Sequence, residues 1–292
     1  MTTTFRSFAK INLHLEIRGR RSDGYHDLET IFQTVALTDS ITIEVTRGGG
    51  VDLSVSEGQA PSDKTNLAHR AAVAFLSRWA PGSGVQLDLR KKIPMGGGLG
   101  GGSSNAATVL MGMQEMLGVP KSRQALVNVA SELGADVPYF LWGGTALGRG
   151  RGDEIEPLPE LAERTLWLIT PPIGISTAEV FGGLRVGDSA NRSVDLDRQW
   201  LDSLDWENLT EGRNDLEETV LTRFPMMRDV YNVLVEAGAT MVRLSGAGAT
   251  WFALFADATA TDELATRLPV GSRVVQTRTL TRSSLDRLRV VR

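Results

Sequence analysis

The chain has 292 residues, 41% of them hydrophobic and 23% charged, with a formal net charge of −4. These totals describe an ordinary globular protein with room for two domains at roughly 150 residues each, and give no electrostatic reason to expect nucleic acid or an anionic membrane as partner. The absence of cysteine removes disulfides, thiolate catalysis and thiolate metal sites together, and His14, His26 and His69 lack the spacing of a helical zinc site, so no structural or catalytic zinc is expected.

The N-terminal segment alternates polar and apolar residues and offers no signal-peptide core. No stretch approaches the ~20 apolar residues of a membrane span. A cytoplasmic protein is the expectation.

Over residues 8–17, Ala9, Ile11, Leu13, Leu15 and Ile17 share one face and Lys10, Asn12, His14 and Glu16 the other, the period-two pattern of a half-buried strand. A polar loop over Gly19–Asp27 leads to strand-like runs near 29–37 and 40–46, and the turn at Gly48-Gly49-Gly50 leads to a short strand at 51–55. A helix is expected over about 66–79, capped by Asp63 or Thr65, because Ala68, Ala71, Ala72, Phe75 and Leu76 recur at helical spacing. Val85, Leu87 and Leu89 alternate as a strand; after a glycine-rich segment a helix runs to about Leu117. Ser122 opens another helix that stops at Gly134, read as a left-handed terminator.

Past a composition shift at Gly148–Pro159 the order changes. A strand at 165–170, a helix at 225–236, strands at 240–245 and 250–256, a helix at 259–268 and a strand at 272–279 follow, with extra helical material between 176 and 220. That is the split βαβ, or ferredoxin-like, arrangement, so an α+β protein with lobes at 1–156 and 157–292 is expected.

The segment from Pro94 to Ala107, PMGGGLGGGSSNAA, lies between a strand and a helix whose apolar residues include Ala106, Val109, Leu110, Met113 and Leu117. Glycines let backbone approach a ligand closely, and a helix start supplies unpaired N–H groups and the positive end of a dipole. Together these make an anion site suited to phosphates, with Ser103 and Ser104 at the helix start as hydroxyls for phosphate or Mg²⁺. A flexible linker seldom opens directly into a periodic helix. The segment is not a Walker A loop, since Ser-Ser-Asn follows the glycines rather than Gly-Lys-Ser/Thr. Gly96, Gly98 and Gly101 satisfy GxGxxG by arithmetic alone, and residues 118–123 form a turn where a dinucleotide fold needs a second strand. Protein-kinase HRD and DFG motifs and the hydrolase GxSxG elbow are missing from the sequence.

The glycine-rich segment resembles the central motif of the GHMP small-molecule kinases; the Lys10 strand and Leu244-Ser-Gly-Ala-Gly-Ala-Thr250 fit the same superfamily. Ala9-Lys10-Ile11-Asn12-Leu13, Asp23-Gly24-Tyr25-His26 and Gly134-Ala-Asp-Val-Pro138, taken with the loop, are similar to its branch acting on a cytidine-diphosphate-linked methylerythritol. The resemblance implies a two-lobed fold and transfer of the ATP γ-phosphoryl group to the substrate 2-hydroxyl in the non-mevalonate isoprenoid route, with Mg²⁺ accompanying ATP. Nucleic acid and membrane are not implied as partners.

By the same resemblance, Lys10 and Asp136 match the catalytic pair. Pro94, Met95, Gly96, Gly97, Gly98, Leu99, Gly100, Gly101, Gly102, Ser103 and Ser104 match the phosphate loop, and Asn66, Lys91 and Asn105 match positions around the adenine. Tyr25 and His26 match the cytosine grip, while Asn12, Thr177 and Phe181 match further substrate-side positions. Gly246 and Gly248 fit either a turn brought up to the cleft or a plain hairpin. One departure stands out: the family's Gly-x-Gly-Glu reads Gly150-Arg-Gly-Asp153. The basic clusters at Arg18, Arg20 and Arg21 and at Arg149 and Arg151 are read as solvated loop ends. Two alternatives stay in view: another GHMP-type alcohol kinase, and a nucleotide-binding regulator without catalysis.

Overall fold

The computed structural model describes residues 1–119, 122–184, 196, 198–256 and 264–291. The alternating N-terminal segment forms β1 (Thr2–Arg20), which pairs along its whole length with β2 (His26–Arg47). The two runs expected at 29–37 and 40–46 are therefore one strand. The ladder runs from Phe8 opposite Thr38 to Ala9 opposite Val35, so Ala36 and Leu37 bulge out of register and give the sequence its look of a break.

Next come β3 (Gly50–Glu57), α1 (Leu67–Trp79), β4 (Ser83–Arg90), α2 (Gly101–Met116), α3 (Arg123–Leu133), the short α4 (Val137–Phe140), β5 (Thr145–Arg149) and β6 (Glu154–Pro157). Five of the strands lie in the order β3-β4-β2-β5-β6, and β1 completes a six-stranded sheet by pairing with β2. Local chemistry differs from expectation at two helix ends. The cap of α1 is Asn66, whose side chain accepts from the Ala68 amide, whereas Asp63 is engaged by the Thr65 amide and hydroxyl. Gly134 ends α3 in extended backbone with φ of 172°, not in the left-handed region, and donates to Ala130 O.

The second half contains β7 (Thr165–Thr170), α5 (Thr177–Gly182), α6 (Arg198–Asp202), a 3₁₀ turn at Asn208–Glu211, α7 (Glu217–Arg223), α8 (Pro225–Glu236), β8 (Ala239–Leu244), β9 (Trp251–Phe255), α9 (Leu264–Arg267), β10 (Arg273–Arg278) and α10 (Arg282–Leu288). The sheet order β10-β7-β9-β8, with every neighbouring pair antiparallel, is the split βαβ topology expected from the sequence. Of the helix expected at 259–268, residues 259–263 lie outside the described residues.

Alternation along β1 decides what faces the site. Ala9, Ile11 and Leu13 enter a core shared with Leu166, Leu168 and Phe252 of the second sheet. Lys10 and Asn12 point the other way. Beyond them, Phe5, Ile41 and Ile43 join Phe75 of α1 and Val109 and Leu110 of α2 in a separate core that seats α2 on the first sheet. The two halves also touch at the chain end: Leu280 N donates to Thr34 O and Arg6 N to Arg289 O.

Candidate active site

The glycine-rich segment crosses from β4 to α2 with its carbonyls tied back. Ala249 N donates to Gly96 O, Thr250 N to Gly97 O, the Ser245 hydroxyl to Gly98 O and Lys10 N to Leu99 O. Four successive acceptors are thereby satisfied, while the amides of residues 95–100 have no partner among the described residues. Unpaired amides gathered at one place form an anion site. α2 extends it, because its cap, Gly100, has φ of 68° and supplies no side-chain bond, leaving the first-turn N–H groups open.

Glycine is required here for space as well as for conformation. A Cβ on Gly98, at φ +72°, would lie 1.9 Å from Ser245 O, and one on Gly100 would lie 2.7 Å from the Phe140 ring and 3.1 Å from Lys10 Cγ. The Lys10 stem therefore lies against the loop.

Lys10 is buried and its ammonium donates to Asn12 Oδ1 at 2.7 Å, with Asp136 Oδ2 at 3.5 Å. Desolvation lowers the Lys10 pKa, and the Asp136 carboxylate opposes that shift. Asn12 in turn donates to the Thr30 hydroxyl at 2.7 Å, and Thr30 donates to His14 O at 2.6 Å. The Asn12 amide is thus held between Lys10 and Thr30, with one N–H of Nδ2 in reserve. Asp136, at the start of α4 and about one-third exposed, is the half of the pair that incoming groups can reach.

Lys10, Asn12, Gly98, Gly100 and Asp136 line one end of a cavity of about 780 Å³, and Tyr25, His26, Thr177 and Phe181 line the rest. Tyr25 and His26 stand where the β1–β2 hairpin closes, in a turn set by Asp23 accepting from the Tyr25 amide. The His26 ring lies 5.0 Å from Phe181 of α5, so one residue from each half meets across the cavity. Desolvation, and then Arg20, lower the His26 pKa and favour the neutral imidazole.

Three candidate residues were not singled out from sequence. Arg20 and Arg151 both line the cavity, and the Arg151 guanidinium lies 5.4 Å from the centre of the Tyr25 ring. Of the basic residues read as loop ends, Arg18 and Arg149 instead bind Glu29. Arg151 pairs with Asp153. Asn214 is the third: its amide donates to Leu244 O and Gly246 O and holds the 245–250 turn that meets the glycine-rich segment.

Pro94, Met95 and Lys91 line a second cavity of about 1080 Å³, with residues 53–55 and 58–62 opposite. The glycine-rich segment therefore runs from one cavity to the other. Asn66, Lys91 and Asn105 use their polar atoms internally: Asn66 caps α1, the Lys91 ammonium meets Asp39 and Asn105 Oδ1, and Asn105 donates to Ser7 and Asp39. Ser104 is buried and accepts from the Ser7 hydroxyl, facing the sheet.

This layout has counterparts among known proteins. The model of the GHMP kinases N terminal domain matches residues 66–144, and that of the GHMP kinases C terminal region matches residues 201–269. A 4-diphosphocytidyl-2-C-methyl-D-erythritol kinase from Geobacter sp. (strain M21) is 41% identical over 249 residues, covering 85% of this chain and 88% of the relative. The chain belongs to the 4-diphosphocytidyl-2-C-methyl-D-erythritol kinase family. Another member, from Pelotomaculum thermopropionicum, is 36% identical and covers 91% of this chain and 94% of its own. A crystal structure titled 4-(cytidine 5'-diphospho)-2C-methyl-D-erythritol kinase superposes with a TM-score of 0.79 at 33% identity, covering 96% of this chain and 99% of the other. The shared fold extends to a homoserine kinase from Cytophaga hutchinsonii at 18% identity and a TM-score of 0.70. The kinase has no helix among the described residues long and apolar enough to cross a membrane.

Proposed function

We propose that this kinase transfers the γ-phosphoryl group of ATP to the 2-hydroxyl of 4-diphosphocytidyl-2-C-methyl-D-erythritol, in the N-terminal-lobe site (1–156) where it faces the lobe of residues 157–292. One observation carries the proposal: free amides at 95–100 lie between two cavities and end beside Lys10 and Asp136. The triphosphate lies along those amides, its nucleoside in the cavity of Pro94 and Met95, its outer end toward Asp136. Tyr25 stacks on the cytosine, a contact of ~1–3 kcal/mol, and His26 bonds the base edge. Arg20 and Arg151 supply positive charge beside the diphosphate of the acceptor.

Asp136 orients the acceptor hydroxyl and takes its proton, and Lys10 holds Asp136 and offsets charge on the reacting oxygens. A carboxylate is a weak base for an alcohol. Phosphoryl transfer tolerates this because positioning and charge stabilisation carry most of the catalysis. Mg²⁺ would neutralise charge on the phosphates. Among the described residues Asp136 is the one carboxylate lining the reaction cavity and no group of three or more His, Asp or Glu could hold a metal, so Asp136, phosphate and water would hold the ion.

The test is ATP consumption, read as ADP, across a panel of alcohols with and without the cytidyl compound. Turnover confined to the cytidyl compound is expected; equal or greater turnover with homoserine, mevalonate or a sugar would reject this substrate.

A further inference from the structure

Asp39 lies in the middle of β2, 1% exposed, and no motif points to it. Its Oδ1 accepts from the amides of Lys92 and Ile93 at 2.7 and 2.8 Å. Its Oδ2 accepts from the Lys91 ammonium and, at 2.9 Å, from Asn105 Nδ2. Residues 91–93 are where the chain leaves β4, and Asn105 lies in the second turn of α2. One carboxylate thus grips both ends of the glycine-rich segment, one oxygen serving the strand exit alone and the other bridging Lys91 to the helix.

The donors exceed what the fold needs. The middle of the segment is already held through the carbonyls of residues 96–99, and α2 is seated by its apolar face. What those contacts leave open is the distance from the strand exit to the first turn of α2, which sets how the free amides converge. Only an ionised carboxylate accepts from four donors. An asparagine would keep the bonds to Lys92 and Ile93 but turn an NH₂ group toward the Lys91 ammonium and the Asn105 amide, freeing both from residue 39 and leaving only the Lys91 bond to Asn105 Oδ1 between strand exit and helix.

We propose that Asp39 is a positioning residue for nucleotide binding, setting the span of the phosphate loop without touching ATP. The proposal rests on the nucleotide site proposed above. Its test uses the intact protein with three probes, ATP, inorganic tripolyphosphate and adenosine, titrated by calorimetry against wild type, Asp39→Asn and Asn105→Ala. Both variants should bind ATP and tripolyphosphate about 10-fold more weakly, by a common factor, with adenosine unmoved and the acceptor KM within about twofold. Asn105→Ala leaves the Asp39–Lys91 pair in place and decides the matter where Asp39→Asn does not fold. A folded variant with wild-type tripolyphosphate affinity, or one weakened toward adenosine alone, would overturn the proposal. Wild type that binds neither ATP nor tripolyphosphate would overturn the nucleotide site as well.

Discussion

Over residues 96–99 the protein works with backbone alone: carbonyls are tied down by Ala249, Thr250, Ser245 and Lys10, and amides are left free. Around the cavity mouth the tools are side chains, with Tyr25 56% exposed, the His26 ring near Phe181 and Arg151 beside Tyr25. The glycine-rich end is held by hydrogen bonds within the protein, whereas the mouth is held by ring contacts that allow adjustment. Removing a side chain should therefore damage recognition at the mouth, while adding one should damage the loop. Lys10 and Asp136, the proposed catalytic pair, lie where the two meet.

The largest effect is expected at that junction. Asp136→Asn and Lys10→Ala should each lower kcat by at least about 100-fold with little change in ATP affinity, checked by steady-state kinetics and nucleotide titration. Near-normal turnover in both would remove the pair from the mechanism. Gly98→Ala tests the backbone side: a methyl group 1.9 Å from Ser245 O, at positive φ, should lower kcat/KM for ATP by about 100-fold. Unchanged ATP kinetics there would mean that the loop yields after all, and the contrast with the mouth would dissolve.

Smaller changes are expected at the mouth. Tyr25→Ala or His26→Ala should raise KM for the cytidyl acceptor by about 10-fold and leave KM for ATP alone. The reverse pattern would move that hairpin to the nucleotide side.

The last prediction concerns the support beneath both regions. Glu217 accepts from Leu244 N, next to the 245–250 turn, and burial raises its carboxyl from the ordinary 4.5 to about 7. Between those values the folded protein holds a proton that the unfolded chain has released. The contribution of Glu217 to stability is therefore fully present below about pH 4.5 and is lost as pH rises through about 7, by roughly 3 kcal/mol. Glu217→Gln should flatten that decline in thermal scans between about pH 5 and 8; an identical slope in the variant would assign it to other groups.

Much of this was legible in sequence because local patterns met no competition. The alternation at 8–17 placed Lys10 and Asn12 opposite the core, and the spacing of Phe75 and Leu76 gave α1. Strand order in the second half followed from element order alone. Asp39 stayed hidden because Thr38-Asp39-Ser40 has the composition of a turn, and its four donors arrive from residues 52 to 66 positions away. Arg20 and Arg151 are single charges whose convergence depends on the hairpin meeting the β5–β6 turn. Asn214 has no local signature, since both its acceptors lie about 30 residues on.

The lacing of the 245–250 turn to the glycine-rich segment has a mechanical consequence. Swinging the two halves apart along that seam would break the bonds from Ser245, Ala249 and Thr250 and slacken the amides of the proposed anion site. Entry by wide hinge opening is thus coupled to loss of the anion site. On the proposed assignment, the route that spares those bonds runs past the Tyr25 hairpin, which lines the cavity.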